Sequence, residues 1–292
     1  MTYKNRIKPY LFILPSLVFI GIFFYYPVLT AIFSSFTDLK LGYKPNFIGL
    51  KNYLDVFTNK VLIVGFFNQL LLTGSDVFKS LFFPLLAAEL LFFIRYKKLA
   101  DFLKTLFVVP MLVPGIVIIL MWIYIYNQNF GLINSVLDFV GSGQFKHAWL
   151  REESTALWSV IGMGFPFVSG LYFLIFHAGL GQISGEIAEA ATIDGCKSIQ
   201  IVRYIHLPLI VPHMASVCTL SIIGSLQDFV KILVTTKGGP GYSTYTPALY
   251  MYDTAFQSQQ MGYASAIGVI LFIIIISLTL ISMKASKKVS DH

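Results

Sequence analysis

Hydrophobic residues along the chain fall into six long stretches that are separated by short polar segments. Each stretch holds about 20 residues or more, which is enough for a helix to cross the hydrocarbon core of a bilayer. The pattern therefore predicts an all-α membrane protein with six transmembrane helices, at about residues 10–33, 61–94, 105–126, 155–177, 209–234 and 263–283.

The composition agrees with this pattern. Of the 292 residues, 56% are hydrophobic, 16% are aromatic and only 12% are charged, so the chain is too apolar for an ordinary soluble domain. The net charge of +7 does not indicate a nucleic-acid partner. Much of it lies in short clusters that flank the apolar stretches, where lysine and arginine mark the cytoplasmic ends of membrane helices.

Basic residues also predict the orientation. Lys4, Arg6 and Lys8 precede a run without charge that extends from 9 to 37, and because this run is longer than the core of a signal peptide we interpret it as a retained first span. With the amino terminus inside, the inner segments hold twelve lysines and arginines and the outer segments hold seven. This bias predicts that both termini are cytoplasmic.

Three charged residues interrupt the second span. Asp76, Lys79 and Glu89 should face protein or water, because a charge in contact with lipid costs several kcal/mol. Asp76 and Lys79 are three residues apart, which allows an ion pair on one helix face. This pair is either a polar contact in a transport path or a structural pair, and we favour the structural role. The sequence leaves the role of Glu89 open.

Prolines and glycines modify two further spans. Pro110 and Pro114 lie near the start of the third span and predict a break or bend there. The fourth span contains Gly162, Gly164 and Gly170, small residues that allow neighbouring helices to approach closely.

Residues 185–212 form a polar segment between two long apolar stretches, the fourth and fifth spans. Their sequence predicts a helix, a bend and a second helix at the membrane surface. Ser184 can cap the first helix, and Gly195 can end it in the left-handed conformation. Ser198 can cap the second helix, and Pro208 is expected to end it. An ordinary polar loop between two membrane helices is the alternative interpretation.

This segment resembles the EAA loop of the permease subunits of bacterial ATP-binding-cassette (ABC) importers. Cys196 replaces an alanine of the family's pattern, and Val202 replaces an aromatic residue. The resemblance implies that residues 179–208, here named the coupling loop, dock on an ATPase subunit in the cytoplasm. The implied docking residues are Glu189, Ala190, Ala191, Asp194, Gly195, Ile205, Leu207 and Pro208.

A second resemblance lies in the predicted outer segment after the fifth span, where the sequence is TTKGGPGYST. Carbohydrate importers of the same family have a similar signature, and its glycines and proline predict a tight turn at the mouth of a pore. The signature residues are Gly238, Gly239, Pro240, Ser243 and Thr244. For substrate contacts, amides and aromatic rings suit a sugar, and the candidates are Asp228, Gln227, Trp122 and Tyr172.

The resemblance implies a type I ABC importer permease fold in a bacterial cytoplasmic membrane. Its expected parts are a tail, first helix and outer loop at 1–60, a five-helix core at 61–283 and a cytoplasmic tail at 284–292. The implied partners are a second permease subunit, two ATPase subunits, an extracytoplasmic solute-binding protein and a carbohydrate, for which an oligosaccharide is expected. ATP and Mg would be used by the ATPase subunits, because residues 195–198 imitate only the tail of a phosphate-binding loop. We expect no metal, no cofactor and no enzymatic activity in this chain.

Other functions remain open at this stage. A permease of the same superfamily could carry glycerol phosphate, a peptide or an amino acid, although a phosphate cargo would favour pore-facing arginines that the spans lack. A secondary transporter would require paired buried charges and internal repeats, and Asp76 with Lys79 offers little of this. A membrane-embedded enzyme is disfavoured because we find no hydrolase or metalloprotease motif.

Overall fold

The computed structural model describes the backbone of residues 4–290 and the side chains of residues 10–187 and 190–284. Within these bounds the chain is mostly helical. The helices are α1 (Lys4–Ile20), α2 (Tyr26–Ser34), α3 (Lys51–Thr58), α4 (Lys60–Phe92), α5 (Lys97–Val108), α6 (Gly115–Ile125), α7 (Leu132–Phe139), α8 (Glu153–Gly162), α9 (Gly170–Leu180), α10 (Gly185–Ile193), α11 (Ser198–Ile201), α12 (Leu207–Gln227), α13 (Val230–Thr235), α14 (Pro247–Phe256) and α15 (Met261–Ser290).

The described chain forms two compact units. One comprises the residues up to Ile63 together with Tyr250–Ile273, and the other comprises Val64–Leu249 together with the chain from Ile274 onwards. In the first unit, the buried amide of Asn52 donates to the carbonyl oxygens of Ser35 and Thr37, at 2.9 Å each. This amide fixes the chain that follows α2 against α3.

The core of the second unit lies where α4, α9 and α12 meet. Small residues of α4 pack there against large side chains of α9 and aliphatic side chains of α12, so the three helices approach closely. The buried residues of this core are Ala87, Ala88, Leu91, Phe173, Phe176, Leu180, Ile210 and Val217.

Among the described residues, four helical segments are long and apolar enough to cross a membrane: Tyr10–Ser34, Lys60–Phe92, Ser198–Gln227 and Met261–Lys284. The segments Lys97–Leu112 and Gly115–Ile125 meet these criteria only as a pair, bent by 93°. The bend lies at Val113 and Pro114, which confirms the break predicted from the prolines.

Two predicted spans are interrupted in the structure. The fourth consists of α8 and α9, and the residues between them leave the helical conformation, with φ +91° at Gly164 and φ +62° at Phe167. The fifth ends at Gln227, where Asp228 is extended, and a short α13 follows. Glycine and proline at the first break remove helical hydrogen bonds and favour other backbone angles.

The prediction that Pro208 ends a helix is wrong. The chain stays helical from Ser198 to Gln227, because a π-helical segment at Val202–His206 precedes the proline. In this segment the N–H of Leu207 donates to the carbonyl of Val202. Pro208 directly follows this wider segment, whose irregular hydrogen bonding accommodates the missing N–H of proline. The prediction that Ser198 caps the second helix is also wrong, because Ser198 is the first residue of α11 and Lys197 is the residue at the cap position.

Candidate functional site: coupling loop, charged cluster and glycine turn

The first half of the coupling loop folds as the sequence predicts. The Ser184 hydroxyl accepts a hydrogen bond from the N–H of Glu186 at 3.3 Å and caps α10. At the other end Gly195 has φ +83°, and the N–H of Cys196 donates to the carbonyl of Ala191 at 2.9 Å. This glycine cap turns the chain sharply toward α11.

The coupling loop exposes apolar side chains. Ile187, Ile193 and Ile199 are all exposed, and so is Ala190. Isolated exposed apolar side chains are common, but three exposed isoleucines on two consecutive short helices offer apolar side chains that a partner protein could cover. The side chain of Glu189, a predicted docking residue, lies outside the described side chains.

The second half of the loop is anchored in the protein interior. Ile201 is buried, and the buried His206 ring places its Nδ1 2.8 Å from a carboxylate oxygen of Glu89 on α4. Glu89 therefore faces protein, as predicted. The partnership of His206 was missed, because only the fold brings positions 89 and 206 together.

Four charged side chains, Asp76, Lys79, Asp228 and Lys231, form a charged cluster between α4 and the break that follows α12. Lys79 lies 2.8 Å from Asp76 and also donates to the carbonyl of Ile161 at 2.9 Å. Lys231 lies 3.9 Å from both Asp76 and Asp228. The predicted Asp76–Lys79 ion pair is thus confirmed, and it belongs to a larger cluster of balanced charge.

Hydroxyl and amide groups extend this cluster. Ser225 donates to Asp76 at 2.9 Å, and its carbonyl accepts from the amide of Gln69 at 2.9 Å. The hydroxyls of Ser80 and Ser221 are 3.1 Å apart, and the hydroxyl of Tyr172 lies beside them. Such groups are suited to binding the hydroxyls of a polar solute.

The four predicted substrate residues have different surroundings. Asp228 belongs to the charged cluster, and Gln227, the residue before it, is exposed. Tyr172 is half-buried beside the hydroxyl network. Trp122 is buried and packs on Tyr126, with ring centroids 5.4 Å apart. The structure therefore brings Asp228 and Tyr172 to polar groups, whereas Trp122 contributes to packing.

The segment 236–244, here named the glycine turn, forms the tight turn that its sequence predicts. The hydroxyls of Thr236 and Thr244 are 2.6 Å apart, and Thr244 also donates to the carbonyl of Gly239 at 2.9 Å. Gly238 has φ +86°. A Cβ atom at this position would collide with the ring of Tyr245.

Asn68 of α4 holds the glycine turn in place. Its amide donates to the carbonyl oxygens of Tyr242 and Tyr245, at 3.1 and 3.0 Å. The predicted signature residue Ser243 donates its backbone N–H to the carbonyl of Pro240 at 2.8 Å. Several hydrogen bonds therefore hold the turn, and its conformation depends on glycine at position 238.

Comparison with known proteins identifies the family. Residues 80–289 match the model of the family described as "Binding-protein-dependent transport system inner membrane component". The chain is 33% identical over 288 residues to the probable ABC transporter permease protein YurN of Bacillus subtilis, covering 98% of both chains. It is 30% identical over 291 residues to the multiple sugar-binding transport system permease protein MsmF of Streptococcus mutans, covering 97% of both.

A solved structure has the same fold. It is a chain of a bacterial alginate ABC transporter in complex with an alginate pentasaccharide-bound periplasmic protein, with a TM-score of 0.86 and 19% identity over 98% of both chains. At this identity the likeness concerns the fold alone. The family match nevertheless includes the coupling loop, the glycine turn, Asp228 and Lys231, and the two relatives cover almost the whole chain. The chain belongs to the family of inner-membrane components of binding-protein-dependent transport systems.

Proposed function

We propose that this chain is one of the two permease subunits of an ATP-driven importer and that its cargo is a carbohydrate, with an oligosaccharide as the expected size. The observation that carries the proposal is the coupling loop, with a glycine-capped bend, exposed isoleucines and a buried anchor. Its place within a matched permease family supports a role in docking a separate ATPase.

The cargo class rests on two arguments. The relative from S. mutans is named for multiple sugar-binding transport. In addition, the polar groups around Asp228 and Tyr172 include hydroxyls, carboxylates and ammonium groups of balanced charge, which can exchange hydrogen bonds with an uncharged polyol. We therefore keep Asp228, Gln227, Tyr172 and Trp122 as the proposed substrate residues, with Asp228 and Tyr172 as the first to test.

The proposed topology has six membrane crossings. Four crossings are the long apolar segments. The other two are the bent pair α5 and α6, which is the third span along the chain, and the interrupted pair α8 and α9, which is the fourth. Both termini and the coupling loop are cytoplasmic in this proposal, and the glycine turn lies at the outer mouth of the pore. The membrane is the bacterial cytoplasmic membrane.

The proposed mechanism needs four kinds of partner. A binding protein delivers sugar to the outer mouth, and a second permease completes the pathway. Two ATPase subunits, which use ATP and Mg, close on ATP and move the docked coupling loops. Because Ser198–Gln227 is continuous helix, movement of the loop is carried into the helix bundle and shifts it between outward-open and inward-open states.

Reconstitution of the complete importer in liposomes tests this function. With the binding protein outside and ATP inside, we expect uptake of radiolabelled oligosaccharides that persists when ionophores abolish all ion gradients. A panel of neutral oligosaccharides, uronate oligosaccharides, glycerol phosphate and peptides would define the cargo. Uptake driven by an ion gradient without ATP would contradict the importer, and uptake of glycerol phosphate or peptides alone would contradict the carbohydrate.

A further inference from the structure

Glu89 of α4 and His206 of the coupling loop form a buried polar pair. The side chain of His206 is 0% exposed and that of Glu89 is 7% exposed, and the distance between Nδ1 and the carboxylate oxygen is 2.8 Å. The imidazole ring also lies edge-on to Phe92, with centroids 4.5 Å apart. The pair is therefore enclosed by aromatic side chains and shielded from solvent.

Each member of the pair depends on the other. The second carboxylate oxygen of Glu89 and Nε2 of His206 are buried and have no hydrogen-bond partner among the described residues. Buried polar groups usually satisfy most of their hydrogen-bonding capacity. With only one bond available to each side chain, loss of either partner would leave the other buried and uncompensated.

The pair lies where the coupling loop joins the helix bundle. His206 is the last residue of the π-helical segment and directly precedes α12. Within the described side chains of residues 179–208, it is the single polar side chain that is buried. The neighbouring anchors Ile201 and Ile210 are apolar. Apolar contacts are non-directional, whereas a hydrogen bond fixes both distance and angle.

We propose that the Glu89–His206 hydrogen bond is the joint that fixes the coupling loop to α4, so that movement of the loop is converted into movement of the membrane helices. Both residues are positioning residues, since they touch neither sugar nor nucleotide in this assignment. The proposal rests on the proposed function of the coupling loop. The amount of sugar imported per ATP hydrolysed then depends on this hydrogen bond, although the bond lies outside the docking surface.

The main test removes the hydrogen bond and fills the same space with apolar side chains. The double variant Glu89→Leu/His206→Phe replaces the pair with apolar groups of similar size, a change that buried ion pairs often tolerate. In proteoliposomes of the complete importer we expect the chain to retain its ATPase subunits and to hydrolyse ATP. Sugar imported per ATP should fall about tenfold, within the usual range of coupling between sites.

The chain offers a matched control pair. His147 and Glu152 are also a histidine and a glutamate, with Nδ1 2.7 Å from the carboxylate oxygen, but their side chains are 40% and 38% exposed. They lie in the segment before α8, away from the coupling loop in sequence. The variant Glu152→Leu/His147→Phe should keep the uptake-to-ATP ratio of the wild type. A tenfold fall in this control as well would contradict the proposal.

A second comparison applies if the double variant does not assemble. The side chains in Glu89→Gln and Glu89→Met are similar in size and both uncharged, but only that of glutamine can form a strong hydrogen bond with Nδ1 of His206. We expect the methionine variant to import about tenfold less sugar per ATP than the glutamine variant. Equal ratios in these two variants would overturn the proposal, as would an unchanged ratio in the double variant.

The experiment separates this proposal from the proposed function. If the wild-type complex retains no ATPase or imports no sugar, the importer function itself fails. If the wild type does both and the Glu89 and His206 variants keep its ratio, only the role of the joint fails.

Discussion

Gly195 determines the bend of the coupling loop. Its φ of +83° lies in the left-handed region, and a Cβ atom at this position would meet no other atom within 4 Å. A substitution is therefore opposed by backbone strain and not by a clash. For a non-glycine residue this strain is about 1–2 kcal/mol, and it is larger for a β-branched one.

We expect Gly195→Val to abolish sugar uptake while the protein remains in the membrane, because the bend between α10 and α11 would change. Gly195→Asn should retain much of the uptake, since asparagine tolerates left-handed angles. Uptake assays with immunoblots of the membrane fraction measure both variants. Wild-type uptake by the valine variant would show that the bend is dispensable.

The glycine turn offers a second test at a single residue. Gly238→Ala is unfavourable for two reasons. The backbone at this position has φ +86°, which alanine rarely adopts, and the Cβ atom of alanine would collide with the ring of Tyr245. At the neighbouring Gly239 the nearest atom to a Cβ would be the carbonyl oxygen of Thr236 at 3.5 Å, an ordinary contact. Thermal unfolding in detergent should therefore show a loss of about 1–3 kcal/mol for Gly238→Ala. Gly239→Ala should unfold close to the wild type, and equal losses would contradict this explanation.

The carboxylate of Asp38 makes the segment after α2 sensitive to pH. The backbone N–H of Asn46 donates to it at 2.6 Å and the Asn46 amide at 3.1 Å, and these bonds lower the pKa of Asp38 below its usual 3.8. A lowered pKa stabilises the folded segment above pH 3.8, and this contribution is lost as the pH falls through the folded pKa.

Hydrogen exchange of residues 38–46 measures this effect. We expect protection of the Asn46 amide to decrease as the pH is lowered from 5 to about 3, after correction for the intrinsic exchange rate. In Asp38→Asn the decrease should be absent, because no carboxylate titrates there. An identical pH profile in the two proteins would rule out Asp38 as the cause.

At the level of secondary-structure elements, the charged cluster ties α4 to its neighbours. Lys79→Met removes the ammonium group that bonds both Asp76 and the carbonyl of Ile161. The side chain of Lys79 is only 14% exposed and that of Asp76 only 22%. We therefore expect the free energy of unfolding to fall by about 3 kcal/mol, the lower end of the range for a broken buried pair. The remaining bond from Ser225 to Asp76 favours that lower end.

Lys51 and Asp55 provide the matched control. They are also separated by 2.8 Å on one helix, but their side chains are 68% and 48% exposed. Lys51→Met should change stability by less than about 0.5 kcal/mol, because an exposed pair is screened by water. Thermal unfolding of both variants in detergent decides the matter, and equal losses would show that burial is not the determining factor.

The breaks in the helices limit what the sequence can predict. Prolines correctly located the bend between α5 and α6, since proline removes a helical donor wherever it lies. The same residue type at 208 gave a wrong prediction, because the preceding π-helical segment accommodates it. Periodicity also gave no sign that the helix ends at Gln227, because Asp228 is surrounded by residues that could continue it.

For the whole molecule, the sequence predicted the features that depend on composition or on local chemistry. These include the all-α fold, the long apolar helices, the glycine-capped bend and the tight glycine turn. It did not predict that His206 pairs with Glu89 or that Lys231 approaches Asp76, because residues far apart in sequence meet only through packing of α4 against α12 and α13. The number of crossings, the orientation and the substrate residues stay predictions.

The unbroken helix from Ser198 to Gln227 has a mechanical consequence. Its 30 residues extend about 45 Å, so a tilt of about 5° at one end displaces the other by about 4 Å. Polar bonds tie it to α4 at two separate points, through His206 and Ser225. The two bonds would hold these helices together as they move, so a push on the coupling loop would be carried along a helix that contains Pro208 and Pro212 to the aspartates and lysines near its far end.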